Sequence, residues 1–303
     1  SGTVSKIGKV PDLINALIPY NDDLMIVGGD HTLWRFTGDP MFGGQLDLIS
    51  DVTGMSFGRP WCKDPEGVIY FFGSRGGVYA MTPQGLPQRI TIHSIDRRLA
   101  DIDLATYRVE LIWNTRDDGL HLFKIPYAAG GQIISHFFWE RKTGAWFEDE
   151  FGDTSLQPTA ATVLDGDAAA DRAVLVGGED GVVRRWTETV ASDDGFAINS
   201  KVLIGPVVPP SSDSEVRVDR LEGVLADAQG GVRYEIIATD NPDTIPSAYT
   251  SGAMGPGRNP VIRARARGAA VYVRLANSST GERWSLEDLA FHATSAGRRR
   301  VRQ

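Results

Sequence analysis

One short pattern recurs along this chain of 303 residues and limits the folds open to it: an apolar strand, a glycine-bearing reversal, and a second strand closing on an aromatic residue. It runs from Leu24-Met25-Ile26-Val27-Gly28-Gly29 through Trp34. It returns from Val68-Ile69-Tyr70-Phe71-Phe72 through Gly76-Gly77-Val78-Tyr79, and again from Ala173-Val174-Leu175-Val176-Gly177-Gly178 through Trp186. Glycine reaches the positive φ of a tight reversal at no steric cost, and β-branched and aromatic residues suit a pleated, half-buried surface. Each stretch is therefore expected to be a hairpin. Their spacing, roughly 40 to 50 residues, is the length of a propeller blade, a small sheet that buries its faces on its neighbours.

Four blades are expected. The first covers about Ile14 to Asp39. The second has Pro60-Trp61-Cys62-Lys63 as a strand and Asp64-Pro65-Glu66-Gly67 as a type I turn, because Pro fixes φ at the second position and Gly closes the fourth. The third pairs Tyr107–Trp113 with Leu120–Ile125 around Asp117-Asp118-Gly119, and a further hairpin, His136–Phe147, turns at Lys142-Thr143-Gly144. The fourth runs from Ala160 to Trp186, and the segment 95–104 is the best short helix. After Asp193-Asp194-Gly195 the repeat stops. Strands are expected over Lys201–Val208, Glu215–Leu225, Val232–Ala238, Val261–Arg267, Ala270–Leu275 and Ser285–Phe291, with Ser247–Asn259 as a loop rich in Gly and Pro. The fold class is mostly β: propeller-like repeats over residues 1–196, then an antiparallel sandwich-like module over 197–303.

Composition agrees, with 34 Gly, 16 Pro and 42% apolar residues. A lone cysteine, Cys62, excludes an internal disulfide and a cysteine-based zinc site. No run approaches the roughly 20 apolar residues of a membrane-crossing helix. The start, Ser1-Gly2-Thr3-Val4-Ser5-Lys6, is no signal peptide; lacking Met, it reads as a processed chain or a piece of a longer one. Net charge is −8, and Ala145 to Phe196 holds twelve Asp and Glu against three Lys and Arg. An acidic body binds phosphate backbones poorly, which argues against sequence-specific DNA recognition.

Candidate sites each carry two readings. Arg263, Arg265 and Arg267 share one face of a strand because side chains alternate with period two. They either keep a sheet edge soluble or meet phosphate or an acidic patch on a neighbouring subunit. The cluster Arg298, Arg299, Arg300 and Arg302 is either a frayed end or a second docking element. Asp165, Asp167 and Asp171 lack the ligand pattern of a calcium loop. His31, His93, His121, His136 and His292 show no metal spacing, and neither a nucleophile elbow nor a phosphate-binding loop is present, so no cofactor or metal is expected. Trp34, Tyr79, Trp139, Trp146 and Trp186 recur once per hairpin, as core rings do; the alternative is stacking on sugars. A propeller glycosidase assembles its carboxylates from different blades, which local motifs would not show.

The stretch Gly281-Glu282-Arg283-Trp284-Ser285-Leu286 through Ala296-Gly297-Arg298-Arg299-Arg300, with the upstream hairpins and Ile204-Gly205-Pro206-Val207, resembles the tail-nozzle and packaged-DNA stabilisation proteins of short-tailed phages. That resemblance implies a structural virion protein in the phage tail and no enzyme. It would form a homomeric ring, commonly a hexamer, beneath the portal and its adaptor, retaining or gating the DNA that passes through. An acidic channel wall would let DNA slide without sticking. The arginine cluster would dock on an acidic neighbour. The alternative is a propeller carbohydrate-active protein, lectin or glycosidase.

Overall fold

A computed structural model describes residues 10–298 except 93–94, 129, 169–170, 188–189, 212–213, 228–229 and 242–244; the side chains at 297 and 298 also lie outside it. The chain divides into two compact units, Ser1–Thr187 and Glu188–Gln303. Both are built almost wholly of antiparallel strands, which establishes the mostly-β class.

The first unit holds four sheets, each made from strands consecutive in sequence. Sheet 1 comprises β1 (Ile14–Asn21), β2 (Leu24–Gly29), β3 (Leu33–Thr37) and β4 (Gln45–Ser50). Sheet 2 comprises β5 (Trp61–Lys63), β6 (Ile69–Phe72), β7 (Val78–Met81) and β8 (Gln88–Arg89). A single helical turn, α1 (Asp96–Ala100), stands where a longer helix was expected. Sheet 3 comprises β9 (Tyr107–Asn114), β10 (Gly119–Pro126), β11 (His136–Glu140) and β12 (Trp146–Asp149). Sheet 4 comprises β13 (Pro158–Leu164), β14 (Ala173–Gly178) and β15 (Val183–Arg185).

Alternation along the strands stacks these sheets in chain order. Ala16, Ile18, Ile26 and Leu33 of sheet 1 bury against Ile69, Phe71 and Met81 of sheet 2. Tyr70, Phe72 and Val78, on the other face of sheet 2, bury against Val109, Leu111 and Trp113 of sheet 3. Ile112, Phe123 and Ile125 then meet Ala161, Val174 and Val176 of sheet 4. A fully buried side chain of this size contributes about 1.5–3 kcal/mol, so each junction stabilises both of its sheets.

The paired glycines act differently from the sequence expectation. Gly76, Gly77 and Gly181 do adopt positive φ in their reversals. Gly28 and Gly29 are instead the extended end of β2, and a Cβ on Gly28 would stand 2.7 Å from Cβ of Met55. The loop that carries Met55 runs against this strand end, with Met55 N donating to Gly29 O at 2.8 Å. Gly54 sits directly on the Asp30 carbonyl and has no room for a methyl group. Gly54→Ala is therefore expected to cost about 2–3 kcal/mol by backbone displacement, read as a lower denaturation midpoint of the first unit. An unchanged midpoint would show that the loop yields freely.

The second unit contains two sheets. One has the order β16-β21-β18-β19, from β16 (Ser200–Val207), β18 (Val232–Thr239), β19 (Thr250–Met254) and β21 (Ala270–Asn277). The other has the order β20-β17-β22, from β17 (Ser214–Leu225), β20 (Gly257–Gly268) and β22 (Leu286–Arg298). They enclose a core of Val216, Val218, Leu221, Leu225, Ile236, Ile262, Val271, Val273 and Leu275. The six expected strands are present. A seventh, β19, forms inside the segment expected to be a loop, where it pairs with β18 and lays Gly252 against the Tyr234 ring. Among the described residues no helix is long and apolar enough to cross a membrane.

Candidate functional site

Two groups of side chains stand out from simple core and solvated surface. The first lies where sheets 2 and 3 meet. The Asp64-Pro65-Glu66-Gly67 turn closes as expected, with Gly67 N donating to Asp64 O at 3.1 Å and Gly67 at φ +84°. The Asp64 carboxylate accepts from Glu66 N at 2.9 Å, Val68 N at 2.8 Å and the Tyr70 hydroxyl at 3.3 Å. Its side chain is wholly buried.

Arg141, just past β11, reaches across to this turn. Its guanidinium stands 2.8 Å from Asp118, 3.1 Å from Glu66 and 3.5 Å from Asp64, and lies over the Trp113 ring at 5.4 Å. Hydrogen bonding to Asp118 pushes the Arg141 pKa further up, so this charge is permanent. Trp113 in turn stacks on Tyr70 at 5.1 Å. Burial, with the Asp64 charge beside it, raises the Tyr70 phenol. Three carboxylates from neighbouring sheets thus converge on one cation above an indole. Sequence reasoning saw the turn and missed the convergence, because nothing local links Arg141 to a turn 77 residues earlier.

Two histidines are buried on the opposite face of sheet 3, the face that meets sheet 4. His136 Nδ1 accepts from Lys124 N at 3.1 Å, which places its proton on Nε2, facing Gln157 Oε1 at 3.4 Å. His121 Nε2 faces the Asn114 amide nitrogen at 3.2 Å, with the ring 4.7 Å from both Phe138 and Trp186. Burial holds His136 near pKa 4 and His121 near pKa 3. Both are core groups. Burial likewise raises the Cys62 thiol and leaves it inert. Trp139 is buried, while Trp34, Tyr79, Trp146 and Trp186 are partly buried. Among the described residues no group of three His, Cys, Asp or Glu is placed to hold a metal ion.

The second group is the outer face of the β20-β17-β22 sheet. Arg263, Arg265 and Arg267 alternate along β20 with buried Ile262, Ala264 and Ala266 and point outward together. The structure adds two arginines from β17: Arg217 directly opposite Arg267, and Arg220 directly opposite Arg263. A bulge between Val218 and Arg220 puts Arg265 at φ +50°, yet keeps the three β20 arginines exposed. Alternating Val216-Arg217-Val218 was the sequence signal for this extension. Arg298 ends β22, its backbone paired with Ser214, while Arg299, Arg300 and Arg302 lie outside the described residues.

Carboxylates share the face. Asp219 stands 2.6 Å from Arg217, Glu222 stands 2.8 Å from Arg220 and 3.3 Å from His292, and Glu215 pairs with Arg267. Arg263 and Arg265 have no ion-pair or hydrogen-bond partner among the described residues.

No family model matches this sequence, and no curated protein does. Among solved structures it is similar to an exo-β-1,3-galactanase from Phanerochaete chrysosporium with galactose, at 9% identity and TM-score 0.29, covering 89% of this chain and 78% of that one. A variant of the same enzyme with β-1,3-galactotriose gives the same values. A glycoside hydrolase matches at 12% identity and TM-score 0.28, covering 92% and 83%. The expectation that the chain is no enzyme is corrected by these matches, all of them to glycosidases, and is not carried forward. At TM-scores this low they assign the chain no substrate.

Proposed function

We propose that the chain is an assembly protein of a tailed-phage particle, working as copies that complete one another's sheet stacks. The observation that carries this reading is a set of exposed apolar side chains on the outward faces of sheets 1 and 4, at the two ends of the stack. On the outward face of sheet 1, Leu17 is opposite Val27, Val27 opposite Trp34, and Trp34 opposite Leu48. Leu17 and Leu48 are 52% and 50% exposed. On the outward face of sheet 4, Leu164 and Val183 are 48% and 67% exposed. The junctions between sheets 1 to 4 bury the same kind of side chain completely, and exposed apolar side chains grouped on one face mark an interaction site.

The finer reading, a nozzle-like ring of copies beneath a portal and adaptor with DNA passing through it, rests on the sequence resemblance and on the acidic first unit. Purified chain is expected to associate at micromolar concentration into closed particles with a central hole by negative-stain imaging. Leu17→Asp with Leu48→Asp is expected to reduce it to single copies. A wild-type mass of 32.9 kDa under all conditions would overturn the reading.

A carbohydrate-active protein is the second reading. It is favoured by Glu66 and Asp118, carboxylates from neighbouring sheets that meet at Arg141 over Trp113. A glycosidase needs such a pair flanking the scissile bond, with an aromatic floor for the sugar. Release of reducing ends from a polysaccharide panel, abolished by Asp118→Asn, would establish it.

A further inference from the structure

We infer that the arginine face of one copy docks on the acidic end of sheet 4 in a second copy, with Arg263 and Arg265 meeting Asp165, Asp167 and Asp171. This rests on the assembly reading and specifies its polar contact.

Like charges directly opposite on neighbouring strands destabilise a sheet. Arg220 faces Arg263 and Arg217 faces Arg267 in this way. The carboxylates that share this face on β17 are already engaged: Glu215 by Arg267, Asp219 by Arg217, and Glu222 by Arg220 and His292. Arg263 and Arg265 are left over, at an edge strand of their sheet.

The compensating charge lies in the other unit. Ser1–Thr187 carries 17 Lys and Arg against 25 Asp and Glu, a net of −8, whereas Glu188–Gln303 carries 14 against 14. Asp165, Asp167 and Asp171 are exposed at one end of sheet 4, and among the described residues their one ion pair is Arg172 with Asp165 at 3.2 Å. A nucleic acid fits the arginine face less well. Carboxylates interleave its arginines, and a body of net −8 repels a polyanion at long range.

The test is sedimentation of full chains at about 50 mM and about 500 mM salt, since an exposed ionic contact weakens as screening grows. Wild type is expected to associate at low salt. The charge reversal Arg263→Glu with Arg265→Glu should weaken association by about tenfold or more, and Asp165→Arg with Asp167→Arg should do the same. Mixing the two reversed chains should restore association, a result that misfolding of either variant would not produce. Wild-type association untouched by either reversal would overturn this contact and leave the assembly reading intact. Absence of association in wild type would overturn both. Binding of a DNA oligonucleotide lost only in the arginine variant, with self-association unchanged, would overturn the contact in favour of a nucleic-acid face.

Discussion

Acidification from pH 7 to pH 4 is expected to strip the first unit of several kcal/mol of stability, mostly through His121 and His136. Both rings are neutral in the folded state, with pKa values near 3 and near 4, against about 6.5 in an unfolded chain. The unfolded chain therefore binds more protons below pH 6.5. Stability is constant above that pH, falls as pH drops from 6.5, and levels off only below the folded values. At pH 4 the loss is roughly 3 kcal/mol for each ring.

The cause is local. A second proton on His136 would meet the Lys124 amide donor, and one on His121 would meet the Asn114 amide, in both cases among aromatic rings. The carboxylates held below their usual range act in a lower window: Asp103 by Thr106, Asp153 by Ser155, and Asp180, at about 2, by Arg184. Denaturation midpoints measured from pH 8 to pH 4 check this. His121→Phe combined with His136→Gln should flatten the profile between pH 6.5 and 4, and an unchanged slope in that variant would show that other groups carry it.

Replacing Asp64 with Ala is expected to destabilise the first unit by about 3 kcal/mol, the cost of leaving buried donors without acceptors. Glu66 N, Val68 N and the Tyr70 hydroxyl all lose their partner, and Arg141 loses one of three carboxylates. Glu66→Ala removes a neighbouring charge that is largely exposed and should cost less than about 1 kcal/mol. Urea denaturation of the two variants separates the cases. Equal losses would mean that Asp64 contributes no more than an ordinary surface ion pair.

The hairpins were legible because their determinants are local: turn glycines, a Pro-fixed turn and period-two alternation all lie within about a dozen residues. The count of four sheets followed from that. What stayed hidden depends on strands far apart in sequence. β19 exists because β18 offers it an edge, and its own residues, Thr250-Ser251-Gly252-Ala253-Met254, look like loop. Arg217 joins Arg267 only through cross-strand pairing 50 residues apart. Gly28 looked like a turn residue because its sequence neighbours are turn-like, and only the approach of Met55 reveals its purpose. The Arg141 cluster was hidden for the same reason, since its members lie on different sheets.

Because every sheet of the first unit is completed by strands adjacent in the chain, and each packs on its neighbours in chain order, this half needs no distant residue to begin folding. A ribosome releasing it would expose one finished layer at a time, each serving as the template for the next. The layers with a neighbour on both sides should then be the last to open and the outermost ones the first to fray, a protection profile that peaks midway along the first unit and falls toward both of its ends.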